Sequence, residues 1–147
     1  MQALELDHAA IQIEDVAASL AFYRDVLGLT LADAMSGDDW GGHPWLMMIF
    51  DAHDGRQLAL TSLGGAKVPR PVVDDVVHHA FGAKALAPWR DRLRDTGVEF
   101  TEEDHGAQQS IYFKDPSGNM LEITTRPRLE PQPADAVKVI ETWLAST

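Results

Sequence analysis

The chain has 147 residues, 45% of them hydrophobic, no cysteine and a formal net charge of −11. This length suits one compact domain, and the acidic balance argues against nucleic acid or anionic membranes, whose phosphates would repel it. The missing cysteines exclude disulfides and thiolate sites. No apolar run approaches the ~20 residues of a membrane span, and no export signal is recognisable, so we expect a cytoplasmic protein that acts on a small molecule.

The first half of the chain predicts one strand, one helix and three further strands. Residues 6–13 predict the first strand. The helix follows from apolar residues at spacings of three and four, with Asp15 as N-cap and Gly28 as the stop. The later strands are predicted at residues 29–33, 45–50 and 57–61.

The second half repeats this plan. The pattern H-x-A-apolar occurs at His8 and again at His78, an offset of 70 residues (78 − 8). Residues 77–83 then predict a strand, and Leu86, Trp89 and Leu93 mark one face of a helix that stops at Gly97. Three strands are predicted at residues 98–100, 110–113 and 120–124.

The repeat indicates an α+β fold of two βαβββ modules. We predict a single domain over residues 1–130, with modules at 1–62 and 76–126 and a Gly- and Pro-rich linker at 63–75. Residues 131–147 form a tail, in which Val137, Ile140 and Leu144 recur at helical spacing. We expect this tail to be a helix that covers a sheet edge or a partner surface.

Strand alternation places four polar residues on the face turned away from the helices. Successive side chains of a strand point to opposite faces, so His8, His78, Tyr112 and Glu122 share the outer face when Ile11 and its equivalents pack under the helices. Two imidazoles and one carboxylate form the three-ligand set of non-heme Fe(II) enzymes, which leaves metal positions open for substrate. A bound cation would also offset the desolvation of Glu122.

Two segments carry a resemblance to a known family. LDHAAIQIEDVAASLAFYRDVLGL and SIYFKDPSGNMLEI resemble the vicinal oxygen chelate superfamily, which includes glyoxalase I, extradiol dioxygenases, fosfomycin-resistance enzymes and bleomycin-binding proteins. The resemblance reaches to about residue 126. It implies two βαβββ modules whose curved mixed sheets surround a metal-centred cavity. It also implies metal ligation by His8, His78 and Glu122.

The second segment resembles the signature of the extradiol dioxygenases most closely. The positions of that signature are filled here by His105, Ile111, Tyr112, Asp115, Pro116, Gly118 and Glu122, while Glu103 departs from it. The resemblance implies that Tyr112 hydrogen-bonds a metal-bound substrate and that His105 assists it. Arg56 occupies the position of the acid–base histidine, so we nominate His53, three residues earlier, as its substitute.

The leading prediction is therefore an extradiol-type dioxygenase that acts on a catechol-like vicinal-oxygen substrate. Fe(II) is the expected metal, with Mn(II), Ni(II) or Zn(II) as alternatives. The segment at residues 38–48 is predicted to be a loop that walls the pocket. The predicted pocket residues are Gln12, Trp40, Trp45, Met47 and Ser110.

Three alternatives remain open on the same fold. A glyoxalase-like isomerase or lyase would need a fourth ligand where this chain has Ala59, although Gln12 or another strand residue could serve. A fosfomycin-resistance-like transferase would have a threonine in place of Ala10 and would use cations such as Lys114 and Arg126. A bleomycin-type protein would only sequester its ligand. The resemblance also implies a homodimer. Its modules either pair within one chain or are swapped between chains, and swapping would bring His8 of one subunit to His78 of the other.

Overall fold

A computed structural model describes residues 3–125 and 132–147. These residues form eight strands and three helices. In chain order they are β1 (His8–Ile13), α1 (Val16–Ala21), β2 (Thr30–Trp40), β3 (His43–Asp51), β4 (Gln57–Ser62), β5 (His78–Gly82), α2 (Ala87–Asp95), β6 (Phe100–Asp104), β7 (Gln109–Lys114), β8 (Met120–Thr124) and α3 (Pro133–Ser146). A π-helical turn, Phe22–Val26, extends α1.

The strands build two four-stranded mixed sheets with the same plan. The first sheet has the order β1-β4-β3-β2 and the second the order β5-β8-β7-β6. In each sheet the first strand of the module runs parallel to the last, and the other neighbours are antiparallel. The prediction of an α+β fold with two βαβββ modules is confirmed.

Local signals explain where the helices begin and end. Asp15 caps α1, because its side-chain Oδ1 accepts a hydrogen bond of 2.8 Å from the Ala18 N–H. Gly28 and Gly97 have φ angles of 72° and 73°. This left-handed backbone ends a helix, and glycine adopts it without steric strain because it has no Cβ. Helix α2 begins at Ala87, later than its apolar pattern suggests, because Pro88 suits only the first turn.

Residues 38–48 belong to a β-hairpin, so the prediction of a loop there is wrong, while the strand predicted at residues 45–50 lies within β3. Strand β2 extends to Trp40 and β3 begins at His43. Gly41 and Gly42 between them have φ angles of 62° and 89°, as the tight two-residue hairpin turn requires. The Ala, Asp, Ser and Gly residues of β2 have low strand propensity, and pairing with the apolar β3 overrides that propensity.

The two modules share one hydrophobic core on the helix side of the sheets. Its fully buried side chains are Ile13, Tyr23, Phe50, Leu60, Leu93, Ile111, Leu121 and Ile123. A polar contact reinforces it: the Tyr23 hydroxyl in the first module donates a 2.7 Å hydrogen bond to Asp115 in the β7–β8 turn of the second. The same turn is held by a 2.9 Å hydrogen bond from the Asn119 amide to the Gln12 carbonyl.

The tail forms the predicted helix, but it covers no sheet edge within the described part of the chain. Every residue of α3 is exposed, including Trp143 at 69%. A partner surface for α3 therefore stays a prediction. Across residues 3–125 and 132–147, none of the helices has the length and apolar character to cross a membrane.

Candidate metal centre

The register of the second sheet brings the predicted polar residues together on the face away from the core. Glu122 on β8 lies opposite Ala80 on β5 and opposite Tyr112 on β7. His78 begins β5, two residues before Ala80, and therefore points to the same face. Leu121 and Ile123, the two residues that flank Glu122 in sequence, point to the opposite face and are buried in the core.

His78 and Glu122 form a close pair at this face of the second sheet. His78 Nε2 lies 3.0 Å from Glu122 Oε2, and His78 Nδ1 lies 2.6 Å from the Asp75 carbonyl oxygen. A carbonyl oxygen only accepts, so Nδ1 carries a proton, and Nε2 either donates to the carboxylate as an N–H group or binds a metal ion together with it. A second partner that fixes the tautomer is typical of metal-ligating histidines, and this pair therefore fits a divalent metal.

Tyr112 completes the cluster on the second sheet. Its ring packs edge-on against the His78 ring, with 5.9 Å between the ring centroids. Burial raises the pKa of the Tyr112 hydroxyl, and the negative charges of Glu122 and Glu103 raise it further. The phenol therefore keeps its proton near neutral pH and remains a hydrogen-bond donor.

His8, like His78, has a partner on its Nδ1, but it lies apart from the His78–Glu122 pair. Its Nδ1 is 2.7 Å from Asp7 Oδ2, which leaves Nε2 free, and its side chain is 57% exposed. His8 and His78 line one cleft of about 550 Å³ together with Arg56. Among residues 3–125 and 132–147, however, no three His, Asp or Glu side chains are close enough to hold a metal. One chain therefore brings together two of the three predicted ligands.

The two other predicted catalytic histidines lie outside the His78–Glu122 pair. His105 is in the β6–β7 turn, where its Nε2 is 3.1 Å from Glu103 Oε2. His53 has a positive φ of 63°, contacts the Gly28 carbonyl at 3.1 Å, and lines a separate cavity of about 200 Å³. Arg56 lines the cleft of His8 and His78, where it is paired with Asp54 at 2.8 Å.

The predicted pocket residues divide between the two sheets. Ser110 lies beside Glu122, where its hydroxyl donates a 2.6 Å hydrogen bond to Oε1. The others belong to the first module. Gln12 bonds the Ala66 carbonyl at 3.3 Å, Trp40 and Trp45 pack edge-on with centroids 5.5 Å apart, and Met47 lies opposite Thr61.

The first module has no side chain that could act as a fourth ligand at the position equivalent to Glu122. Ala59 lies opposite Ala10 just as Glu122 lies opposite Ala80, so the equivalent position in the first module carries only a methyl group. Lys114 is paired with Asp74 at 2.9 Å. Arg126 lies outside the described residues.

Gln108 is a site residue that the sequence did not reveal. Its side-chain amide lies 2.9 Å from Thr124 Oγ1 and 3.4 Å from both Ser110 Oγ and Glu122 Oε1. It comes just before β7, where strand alternation no longer indicates which way a side chain points. The nearest sequence signal is the run of polar residues that continues from Gln108 to Ser110.

Comparisons with known proteins agree with this fold. The family model for the Glyoxalase/Bleomycin resistance protein/Dioxygenase superfamily matches residues 5–123. Glutathione transferase FosA of Serratia marcescens is 29% identical over 122 residues, which cover 80% of this chain and 78% of that protein. Biphenyl-2,3-diol 1,2-dioxygenase 3 of Rhodococcus globerulus is 28% identical over 124 residues, which cover 80% of this chain but only 61% of that protein. Among solved structures, Leishmania major glyoxalase I superposes with a TM-score of 0.67 at 17% identity, covering 98% of this chain and 97% of that one.

Proposed function

The chain belongs to the Glyoxalase/Bleomycin resistance protein/Dioxygenase superfamily, and we propose that it is a metal-dependent enzyme with extradiol-type dioxygenase chemistry. The observation that carries the metal proposal is the facing pair of His78 Nε2 and Glu122 Oε2, 3.0 Å apart, with Nδ1 held by the Asp75 carbonyl. The relatives named above are enzymes, which supports an enzymatic function in general.

We propose that a second copy of the chain completes the site. His78 and Glu122 are together on the second sheet, while His8 is on the first sheet with a 57% exposed side chain and a free Nε2. In a swapped homodimer, His8 of the partner subunit would supply the third ligand. This arrangement accounts for the exposure of a histidine whose Nδ1 already has a partner.

The roles of the other residues follow from their positions. When bound, Fe(II), or alternatively Mn(II), Ni(II) or Zn(II), supplies a Lewis acid with positions open for substrate. Glu122 offsets the positive charge from a buried position at 4% exposure. Tyr112, opposite Glu122 and packed against the His78 ring, donates a hydrogen bond to a substrate oxygen. His105, which lies in the β6–β7 turn with its Nε2 3.1 Å from Glu103 Oε2, is a proposed proton-transfer group.

Dioxygenase chemistry on a catechol-like substrate is the first candidate because the set has three ligands. The methyl group of Ala59 stands where a fourth protein ligand would close the site, so positions stay open for both oxygens of a chelating substrate and for dioxygen. The substrate is a small molecule with vicinal oxygens. Arg56 lines the cleft at the position of the acid–base histidine. The other candidates for proton transfer are His53, which lines a separate cavity, and His105 in the β6–β7 turn.

A thiol transferase of the fosfomycin-resistance kind is the second candidate. The FosA relative favours it, because the matched region covers 78% of that protein against 61% of the dioxygenase. A phosphonate substrate would need cations at the site. Lys114 is already neutralised by Asp74, which places this candidate after the dioxygenase.

The test begins with metal content. Wild type, Glu122→Ala and, as a matched control, Glu141→Ala on the exposed helix α3 would be loaded with Fe(II), Mn(II), Ni(II) or Zn(II) and analysed for retained metal. We expect about one metal per chain in wild type and Glu141→Ala, and loss in Glu122→Ala. Equal retention in all three would refute the metal centre.

Oxygen uptake with catechols then tests the reaction itself. The Fe(II)-loaded protein should consume oxygen and form a ring-cleaved product. Tyr112→Phe should slow this reaction by at least ~100-fold, the lower end of the range for one lost hydrogen-bond or proton-transfer group. Metal binding without oxygen uptake, combined with glutathione transfer to fosfomycin, would establish the second candidate in place of the first.

A further inference from the structure

The two oxygens of the Glu122 carboxylate have different surroundings. Oε1 accepts a 2.6 Å hydrogen bond from Ser110 and lies 3.4 Å from the Gln108 amide. Oε2 faces His78 Nε2 at 3.0 Å. Oε1 is thus held by neutral donors of the chain, and Oε2 faces the imidazole nitrogen that is the other proposed metal ligand.

The donors on Oε1 are themselves held. Ser110 is completely buried, and its Oγ lies 3.1 Å from Thr124 Oγ1 on the neighbouring strand. The Gln108 amide donates to Thr124 Oγ1 at 2.9 Å, and the Thr124 hydroxyl donates to the Gln109 backbone carbonyl at 3.4 Å. Ser110 has one proton to give, and its shortest contact is with the carboxylate. A hydrogen bond to a charged acceptor is about twice as strong as a neutral one, so Glu122 takes it.

The turn before β7 fixes Gln108. The backbone carbonyl of Gln108 accepts a 2.7 Å hydrogen bond from the His105 N–H, and this bond closes the β6–β7 turn. The side-chain amide of Gln108 therefore reaches the sheet from a fixed backbone position. This connects the turn that carries His105 with the carboxylate of Glu122.

We propose that Ser110, supported by Gln108, is a positioning residue that ties down Oε1 of Glu122 and leaves Oε2 as the single oxygen offered to the metal. This inference rests on the proposed metal centre. A carboxylate that can rotate loses conformational entropy when it binds, and it can also turn to present both oxygens. Holding one oxygen in advance removes that loss. Residues that orient a metal ligand in this way typically account for ~10–100-fold in metal affinity.

The main experiment is a Mn(II) titration of the metal-free protein, followed by the EPR signal of free Mn(II). We expect Ser110→Ala to bind Mn(II) ~10–100-fold more weakly than wild type. Ser19→Ala is the matched control, because Ser19 is also completely buried and its hydroxyl has no hydrogen-bond partner among the described residues. Its affinity should equal that of wild type. Ser110→Thr, which keeps the hydroxyl, should restore most of the binding.

A double-mutant cycle shows whether Ser110 acts through Glu122. In a Glu122→Ala background, adding Ser110→Ala should leave the remaining Mn(II) affinity unchanged, because the oxygen that Ser110 holds is gone. Gln108→Met, which removes the amide donor at similar size from a partly exposed position, should fold normally and weaken Mn(II) binding by a smaller factor. Thermal unfolding of each metal-free variant separates lost affinity from lost folding.

The outcomes separate this inference from the proposed function. Loss of Mn(II) in Glu122→Ala with unchanged affinity in Ser110→Ala and Gln108→Met overturns the inference and keeps the metal centre. An equal further loss from Ser110→Ala in the Glu122→Ala background overturns it as well. Binding that is equally weak in wild type and Glu122→Ala overturns the metal centre itself.

Discussion

The hydrogen bond from Tyr23 to Asp115 joins the two modules, and its removal by Tyr23→Phe should destabilise the protein measurably. The donor is fully buried and the 2.7 Å contact ends on a carboxylate that is 4% exposed. Hydrogen bonds to charged groups contribute about 1.5–3 kcal/mol. Phenylalanine keeps the ring packing, and Asp115 retains hydrogen bonds from the Ser117 and Asn119 backbone and from the Asn119 amide. We therefore expect the lower part of that range, ~1.5–2 kcal/mol.

Urea unfolding at pH 7 measures this free energy, and calorimetry should show a melting temperature lower by roughly 3–8 °C, at about 2–4 °C per kcal/mol. Tyr112→Phe is the matched control, because the chain has only two tyrosines and the second lies on the opposite face. It should stay within about 0.5 kcal/mol of wild type. A Tyr23→Phe variant as stable as Tyr112→Phe would refute the reasoning.

The same pair predicts how stability depends on pH. Burial, followed by the charge of Asp115, raises the pKa of Tyr23 well above its ordinary value of 10.0. The folded state then holds the phenolic proton more tightly than the unfolded state. This stabilisation is complete below pH 10 and is lost as the pH rises above it towards the raised folded value. Wild type should lose stability above pH 10 more steeply than Tyr23→Phe, and parallel curves would contradict the pKa assignment.

Three further substitutions test particular contacts. Gly118→Ala should destabilise more than Gly106→Ala. Both glycines have positive φ, but a Cβ at Gly118 would displace the Arg70 guanidinium from its 3.0 Å hydrogen bond to the Gly118 carbonyl, while Gly106 has open space; equal urea midpoints would contradict this. Asp15→Ala should cost about 1 kcal/mol of unfolding free energy through loss of the α1 cap, with restoration by Asp15→Ser as the check. Trp143→Glu should leave unfolding of the dilute protein within about 0.5 kcal/mol of wild type, because the indole is 69% exposed, and a larger loss would show that α3 packs on a surface.

Much of the fold was predictable because its signals are local. Asp15 caps α1 and the left-handed glycines end both helices, as their positions beside apolar repeats indicated. The repeat of H-x-A-apolar predicted two modules, and both sheets indeed have the same strand order. The hairpin at residues 38–48 was missed because β2 has weak strand residues, although the Gly41-Gly42 pair between two strands is itself a hairpin signal.

The candidate site was predictable in part. Strand parity placed His78, Tyr112 and Glu122 on one face, and the observed register has them there. The direction of Gln108 was not predictable, because it lies in a turn where no alternation applies. The distance between His8 and the His78–Glu122 pair was also beyond the sequence, since it depends on how two separate sheets pack.

The sequence alone determined the two modules, the ends of their helices and the faces of their strands, because capping, left-handed glycines and side-chain alternation act between near neighbours. Only the tertiary structure decided which distant groups meet. The Tyr23–Asp115 contact joins residues 92 positions apart, and Ser110 and Gln108 reach Glu122 across a strand pair. The tertiary structure also leaves His8 exposed and apart from the other two predicted ligands. Such contacts depend on the packing of whole sheets, which no short stretch of sequence encodes.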